Sequence, residues 1–163
     1  MPGRGVRRDA PIYSRPSRPL MSVPSGFRAL PLPIAQLSLA AVLKCGQSFR
    51  WSIFPLPDQI SVDELTPTHE YRFCLRDRVV CLQQNHHTLF YRSVFSEPLP
   101  SPTHVVLKEA ETLAWLRDYF QLDIDLLELY EEWSNRDPVF SKFQSRFSGI
   151  RMLRQDPWEN LVS

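Results

Sequence analysis

Residues 70–95 combine three β-strand patterns with links of only three and four residues. Apolar side chains alternate along the segments, so that Tyr71, Phe73 and Leu75 share one face of the first strand. Links this short join antiparallel neighbours, because parallel strands need a crossover of about a dozen residues or more. The pattern therefore predicts an antiparallel β-meander. Its strands are predicted at 70–75, 79–83 and 88–95.

The second half of the chain has helical spacing instead. Apolar residues recur three or four positions apart in three consecutive segments, at 106–120, 124–133 and 140–150. In the last segment, the stripe of Phe140, Phe143 and Phe147 is predicted to lie in the core. Residues 96–104 carry three prolines and are predicted to be an exposed connector. A sheet followed by helices predicts an α+β fold.

Two further segments lie before the meander and after the helical part. Residues 37–43 are apolar and fit either a strand or a short helix. The chain then turns at Gly46 and becomes strand-like from Phe49, and residues 55–69, with three prolines, are predicted to form a loop. Near the other end, Asp156 is a predicted helix cap, followed by a proline and, three residues after the cap, a glutamate. We therefore expect the chain to stop just inside a helix that continues in a longer protein.

Charge divides the chain into a basic tail and an acidic remainder. Residues 1–28 carry six arginines and one acid, a net charge of +5, which leaves −4 for the other 135 residues because the whole chain is +1. Seven of the 15 prolines lie within residues 1–33. Few apolar residues accompany them, which is typical of disorder, so we predict a disordered tail at 1–28. A mitochondrial transit peptide, a nuclear address, phosphate affinity and a solvated tail without a role are all open for it.

Several classes of protein and site are disfavoured. The chain has no 18-residue apolar stretch, so no membrane span is expected. Three cysteines without a C-x-x-C pair favour the cytosol, the nucleus or the mitochondrial matrix over a secreted disulfide scaffold. His69, His86, His87 and His104 stand in links and loops without metal-ligand spacing, so no metal site is predicted. No G-x-S-x-G, Walker A or G-x-G-x-x-G motif is present, and no cofactor is expected.

Two helical segments differ in charge. Residues 107–133 carry eight acids against two bases, which should turn this surface away from a phosphate backbone. Residues 140–155 carry no acid. Within them, Lys142 and Arg146 are four positions apart and off the phenylalanine stripe, and they could contact phosphates. A solvated helix face is the alternative interpretation of this pair.

The densest local signal is GQSFRW, from Gly46 to Trp51. The glycine lets a ligand approach the backbone closely. The glutamine and serine supply hydrogen-bonding groups, and the phenylalanine, arginine and tryptophan supply stacking and charge. A strand entry with two core aromatics is the alternative interpretation.

Four stretches, in this order and spacing, resemble the eukaryotic 8-oxoguanine DNA glycosylases. They are GQSFRW at 46–51, DYFQLDIDLLELYEEW at 118–133, FSGIRMLRQDP at 147–157 and LRQDPWENL at 153–161. The resemblance covers about residues 30–163, nearly all of the predicted folded part. Its two outer motifs, in the right order and distance, make it specific.

The resemblance implies a TATA-binding-protein-like domain, a twisted antiparallel sheet flanked by helices, at residues 29–152. Residues 153–163 would be the first residues of a helix-hairpin-helix domain. The implied activity is that of a DNA glycosylase and abasic-site lyase of base-excision repair, which flips 8-oxoguanine out of duplex DNA and cleaves its glycosidic bond. We expect a monomer in the nucleus, with the mitochondrion as a second location. The rival hypothesis is a non-enzymatic module that binds DNA or another protein through its sheet.

The resemblance assigns one substrate-binding residue, Gly46, whose carbonyl faces the flipped base in the family. The family's catalytic lysine and aspartate belong to a later region. Lys44, Lys108 and Lys142 do not match that lysine by motif. No catalytic residue is therefore assigned, and the chain alone is expected to be inactive.

Other residues receive supporting roles. Arg154 is predicted to contact phosphate or to pair between domains, and Lys142 and Arg146 are weaker phosphate candidates. The five residues that follow Gly46 in GQSFRW are predicted to support the fold rather than to read the base.

Overall fold

The structure, a computed structural model, describes residues 23–57, 64–98 and 100–162. The predictions for residues 1–22 of the tail and for residues 58–63 of the loop lie outside the described residues.

The described elements are strands in the first part of the chain, interrupted by one short helix, and helices in the second part. In chain order they are β1 (Arg28–Pro31), α1 (Leu39–Val42), β2 (Ser52–Pro55), β3 (His69–Leu75), β4 (Arg78–Gln84), β5 (Thr88–Phe95), α2 (Pro102–Tyr119), α3 (Leu126–Arg136), α4 (Pro138–Ser141) and α5 (Pro157–Val162). A 3₁₀ helix at Gln144–Phe147 follows α4.

The five strands form an antiparallel sheet in the order β1-β5-β4-β3-β2. Consecutive strands β3, β4 and β5 are neighbours, so the predicted meander is confirmed, and Leu82 lies opposite both Tyr71 and Tyr91. Alternation places these three side chains and Phe73 on one face, where all four are buried. The α+β fold class predicted from the sequence is confirmed.

Helix α1 packs in the core on this face of the sheet. Ser38 caps the helix by accepting a hydrogen bond from the Ala41 N–H at 3.4 Å, and Leu39 and Val42 are fully buried. The Gln84 side chain of β4 accepts a hydrogen bond from the Leu39 N–H at 2.9 Å and so holds the start of the helix. Of the two interpretations open for residues 37–43, the structure shows the short helix.

Helix α2 begins earlier than the sequence predicts. Ser101 caps it and Pro102 occupies its first turn, a position in which the missing N–H of proline costs nothing. Residues 102–104 therefore belong to the helix, and their assignment to the exposed connector is wrong. Of the three prolines that indicated a connector, Pro102 marks the helix start, whereas Pro98 and Pro100 lie before the helix.

A polar link joins α2 to the sheet. Thr112, fully buried on α2, accepts a hydrogen bond from Nε of Arg78 at 2.9 Å, and its hydroxyl lies 2.9 Å from that of Ser93. Arg78 lies on β4 and Ser93 on β5. The contact therefore fixes the position of α2 across two strands.

The helix predicted at 140–150 is divided into α4 and the 3₁₀ helix. The Asp137 side chain caps α4, with a proline directly after it, so that a new short helix starts there. Phe143 and Phe147 are 36% and 48% exposed, and the prediction that the phenylalanine stripe lies in the core is wrong. Because the helix is interrupted, the rings do not share one face toward the sheet. Phe143 contacts Phe140 and Phe147 edge to face instead.

Strand β1 begins inside the segment that composition assigned to the tail. Arg28 lies opposite Tyr91 of β5, and its guanidinium Nε lies 3.6 Å from a carboxylate oxygen of Glu109. Just before it, the ring of Phe27 lies 4.7 Å from the guanidinium of Arg92. Arg28 is therefore part of the sheet and not of the tail, because backbone pairing with β5 outweighs the local composition.

The other face of the sheet carries a row of paired charges and rings. The buried Glu70 carboxylate accepts hydrogen bonds from Arg72 at 2.6 Å and Gln83 at 2.9 Å, and Arg92 lies 3.6 Å away. The Arg72 guanidinium lies 4.5 Å from the centre of the Phe54 ring. Burial alone would raise the pKa of Glu70, but the hydrogen bonds from Gln83 and Arg72 outweigh it, and the pKa is lowered.

Within the part of the chain that the structure describes, no helix combines the length and apolar character needed to cross a bilayer. The same residues contain no group of three His, Cys, Asp or Glu side chains arranged to hold a metal ion. Cys45, Cys74 and Cys81 are free thiols.

Candidate functional site

Gly46 lies in the turn between α1 and β2, and its backbone conformation requires glycine. Its φ is +85°, in the left-handed region that residues with side chains rarely adopt. A Cβ built at this position would meet no heavy atom of the described residues within 4 Å. The turn therefore presents bare backbone to open space, as expected where a ligand approaches the main chain closely.

Gln47 fastens this turn to the segment that precedes α5. Its side-chain Nε2 donates to the carbonyl oxygen of Arg151 at 2.9 Å, and its Oε1 accepts from the Leu153 N–H at 2.9 Å. Nε2 also lies within hydrogen-bond reach of the Cys45 thiol, at 3.2 Å. Both ends of one side-chain amide are thus bonded to the backbone of one segment.

Arg151 lies within the same segment, and its side chain ties the segment to other parts of the chain. Its buried guanidinium donates to the carbonyl oxygens of Gln36, Gln121 and Ile124, the last two at 2.8 and 2.9 Å. It also donates to the side-chain Oε1 of Gln36 at 2.7 Å. Desolvation lowers the pKa of this guanidinium, partly offset by the nearby Asp125. The acceptors just named are neutral oxygens.

We refer to residues 149–154 as the strap. The Gly149 carbonyl accepts from the Ser38 N–H at 2.8 Å, the Gln121 side chain donates to the Met152 carbonyl at 2.8 Å, and the Arg154 N–H donates to the Tyr119 carbonyl at 2.8 Å. Together with Gln47 and Arg151, these bonds hold the strap along its length. The Gly46 turn is attached to a segment that is itself well fixed.

The other residues of GQSFRW include both core and surface positions. Trp51 is buried and donates from Nε1 to the Tyr119 hydroxyl at 3.1 Å. The Arg50 guanidinium lies 4.6 Å from the centre of the Phe73 ring. Phe49 is 75% exposed, so the alternative with two core aromatics is wrong for Phe49 and holds for Trp51 alone.

The predicted basic pair, Lys142 and Arg146, does not lie on one α-helix. Lys142 is the C-cap of α4, and Arg146 lies in the 3₁₀ helix that follows. Both side chains are exposed. Their contact with phosphate stays a prediction.

Arg154 is exposed at the end of the strap, where its NH1 lies 2.8 Å from Oδ1 of Asp118. Asp118 belongs to α2, so the ion pair that the structure shows is internal to the described unit. Arg154 also borders a cavity of about 250 Å³ together with Arg50, Arg76 and Tyr119. Phosphate contact by Arg154 stays a prediction.

Asp156 starts α5 as the sequence predicts. Its Oδ1 accepts a hydrogen bond from the Trp158 N–H at 2.8 Å, which confirms the predicted helix cap. Trp158 and Leu161 of this short helix are largely exposed.

The lysines do not form a nucleophilic site in the described residues. The Lys108 ammonium lies 3.1 Å from a carboxylate oxygen of Asp77 and 3.3 Å from one of Glu111, and its hydrogen bonds to them raise its pKa. A lysine nucleophile needs the opposite shift, because only the neutral amine attacks a carbonyl carbon. Lys44 and Lys142 are exposed.

Sequence reasoning did not foresee the pairing of Gln47 with the strap. Gln47 lies in GQSFRW and the strap lies in FSGIRMLRQDP, two of the four stretches that carry the family resemblance, and this shared membership is the signal that could have indicated the pairing. The strap lies outside helices and strands, so no periodicity shows that Arg151 is buried.

Comparison with known proteins gives a consistent result. The family profile described as 8-oxoguanine DNA glycosylase, N-terminal domain, matches residues 29–161. An N-glycosylase/DNA lyase of Saccharomyces cerevisiae is 32% identical over 138 residues, which are 84% of this chain and 33% of that protein. The chain therefore spans about a third of the length of this curated relative.

Solved structures share the fold. MBOgg1 in complex with a low-affinity DNA ligand has a TM-score of 0.56 at 27% identity, over 84% of this chain and 38% of that chain. The 8-oxoguanine glycosylase/lyase of Clostridium acetobutylicum in complex with double-stranded DNA containing cytosine opposite 8-oxoguanine has a TM-score of 0.53 at 27% identity, over 78% of this chain and 35% of that chain.

Proposed function

The chain belongs to the 8-oxoguanine DNA glycosylase N-terminal domain family, and from this premise we propose that it is the base-reading part of an enzyme that removes 8-oxoguanine from duplex DNA. The family resemblance read from the sequence motifs is confirmed. The curated relatives are N-glycosylase/DNA lyases. The proposed role is base-excision repair of oxidised guanine by glycosylase and abasic-site lyase action of the full enzyme.

The observation that carries this proposal is the Gly46 turn, with its positive φ, its open surroundings and its attachment through Gln47. Guanine has a bare acceptor at N7, whereas 8-oxoguanine carries a hydrogen there. A Gly46 carbonyl aimed at N7 gains a hydrogen bond from the oxidised base and faces a lone pair on the normal one. A site built on such a bond rejects the analogue that lacks the donor.

The proposed partner is duplex DNA containing 8-oxoguanine. It is supported by two structural relatives that are described in complex with DNA. We propose a monomer that acts in the nucleus, with the mitochondrion as a second location, because both compartments hold DNA.

Residues 29–152 are proposed as the N-terminal domain and 153–163 as the start of the catalytic domain. The residues directly after this boundary still pack against the first domain. Leu153 is buried in the core of the sheet layer, and the Arg154 N–H donates to the Tyr119 carbonyl. The start of a second domain would therefore be continuous with the first one.

The test is Gly46→Ala in a graft of this chain onto a complete catalytic domain of the family. The variant should lower the ratio of 8-oxoguanine to guanine excision rates by about 5- to 150-fold, since one such hydrogen bond is worth roughly 1–3 kcal/mol. Binding to undamaged duplex depends mainly on phosphate contacts and should change little. Excision rates on both bases and melting temperatures are measured.

Gly26→Ala is the matched control. Gly26 has φ of +77°, and a Cβ there also meets no described heavy atom within 4 Å, but it lies in the turn before β1. Both variants should lose similar stability, and only Gly46→Ala should change the ratio. An unchanged ratio in stably folded Gly46→Ala would reduce Gly46 to a turn residue. A wild-type graft without excision would favour the non-enzymatic module.

A further inference from the structure

The carbonyl of Gly46 belongs to the planar peptide unit that Gly46 shares with Gln47. Gly46 has no side chain of its own to pack, and open space surrounds its Cβ position among the described residues. Glycine also has the widest backbone freedom of any residue. The direction of this carbonyl must therefore be set from the Gln47 side of the peptide unit.

Gln47 is equipped to set it, because its side chain is held at both ends. Nε2 donates to the Arg151 carbonyl and Oε1 accepts from the Leu153 N–H, each at 2.9 Å. Two hydrogen bonds with separate partners fix both the position and the rotation of the amide group. A side chain held in this way restricts the backbone to which it is attached.

The anchor for Gln47 is fixed by further bonds that do not involve the turn. Arg151 is tied to Gln36, Gln121 and Ile124 through its guanidinium. Gln121 also holds the Met152 carbonyl at 2.8 Å. The strap is thus a rigid reference, and it leads directly to α5.

We propose that Gln47 is a positioning residue for base discrimination, which aims the Gly46 carbonyl by locking its own side-chain amide onto the strap. Base reading then depends on Arg151 and Leu153, which follow Gln47 by 104 and 106 residues in the sequence. The inference rests on the proposed function of Gly46 but makes a separate claim about what holds it.

The first test uses the 163-residue chain itself and measures backbone ¹⁵N relaxation. In Gln47→Ala, the order parameter of the turn at Gly46 should fall from roughly 0.85 toward or below roughly 0.6, the range of flexible backbone. Should Gln47→Ala not fold, Gln47→Glu serves instead, since it keeps the size and the acceptor for Leu153 but removes the donor to Arg151. A turn that remains as ordered as in the wild type would overturn the proposal.

Asn85→Ala is the matched control. Both ends of this side-chain amide are also bonded to backbone groups, since Nδ2 donates to the Leu65 carbonyl and Oδ1 accepts from the Thr88 N–H, each at 2.8 Å. Asn85 lies in the link between β4 and β5, and these bonds involve neither the Gly46 turn nor the strap. The order parameter at Gly46 should stay unchanged in this variant.

The second test measures the ratio of 8-oxoguanine to guanine excision in the graft. Gln47→Ala should reduce it about 5- to 150-fold, as expected for a misdirected hydrogen-bond acceptor, and Asn85→Ala should leave it unchanged at a comparable melting temperature. An unchanged ratio of excision rates in stably folded Gln47→Ala would contradict the positioning role. A wild-type graft without excision instead contradicts the function proposed for Gly46, and the relaxation result still decides whether Gln47 orders the turn.

Discussion

Gly46 and Gly149 exclude side chains for different reasons. At Gly46 only the left-handed backbone does so, whereas at Gly149 a Cβ would also clash with the Ile34 carbonyl oxygen. The motif around Gly46 allowed its turn to be predicted, because the signal is local. The contact at Gly149 could not be predicted, because Ile34 comes from the opposite end of the folded part.

The surroundings of a single residue, Glu70, predict how stability depends on pH. Its folded pKa is lowered, so the unfolded chain binds more protons, and the contribution is present above the unfolded pKa near 4.5 and lost as pH falls through the folded value. On going from about pH 6.5 to about pH 3.5, the free energy of unfolding should therefore fall more in the wild type than in Glu70→Gln. Urea unfolding at both pH values measures the difference.

Glu131→Gln is the control for this prediction, because Glu131 is an exposed carboxylate on α3. The free energy of unfolding of this variant should depend on pH in the same way as that of the wild type. Equal pH dependence of Glu70→Gln and the wild type would show that the charges around Glu70 do not favour its ionised form.

Among the elements, local patterns were predictive and long-range pairings were not. Alternation and short links identify β3, β4 and β5, because each needs only its sequence neighbour. Strand β1 was missed, since its pairing with β5 joins distant segments. The phenylalanine stripe has helical spacing, but α4 ends at Ser141 and a 3₁₀ helix follows from Gln144, so the three rings do not lie on one continuous α-helix.

The link between α2 and the sheet predicts a cost for Thr112→Val. The variant keeps the shape of the side chain but leaves Nε of the buried Arg78 without this acceptor. The free energy of unfolding should fall by about 1–3 kcal/mol, the cost of an unsatisfied buried donor. Thr103→Val, at an exposed position of α2, should change it by no more than about 0.5 kcal/mol. Similar unfolding free energies for both variants would mean that Arg78 finds another partner.

The last helix predicts the effect of truncation. Because Trp158 and Leu161 are largely exposed, removing residues 157–163 should change the free energy of unfolding by no more than about 0.5 kcal/mol. Removing residues 151–163 takes away Arg151 and the buried Leu153 and should prevent stable folding. A large loss in the shorter truncation would show that α5 packs firmly. Thermal unfolding of both truncated chains measures this.

For the whole molecule, the fold class was predictable and the arrangement of the site only in part. The family resemblance predicts a base-reading role for Gly46, which stays a prediction, while the three-dimensional pairing of Gln47 with the strap needed the structure. Residues far apart in sequence meet through irregular segments, which carry no periodic signal.

The whole chain also predicts a negative result in a trapping experiment. With Lys108 ion-paired and its pKa raised, no described residue matches the activated lysine that a Schiff base to an abasic site requires. Borohydride reduction with abasic-site DNA should give no covalent adduct with this chain. The matched graft, which contains a catalytic domain of the family, is the positive control. An adduct that disappears when Lys44, Lys108 or Lys142 is replaced by Met would contradict the prediction.

Gln47 and the buried Arg151 guanidinium bond to neutral groups, which has a consequence for ionic strength. Salt screens exposed charges, with a Debye length of about 10 Å at about 0.1 M, but it hardly affects hydrogen bonds between side chains that are shielded from solvent and neutral backbone groups. Affinity for a DNA backbone, in contrast, falls steeply as salt is added. If Gln47 and Arg151 aim the Gly46 carbonyl, added salt should weaken the capture of DNA and leave the choice between guanine and its oxidised form unchanged.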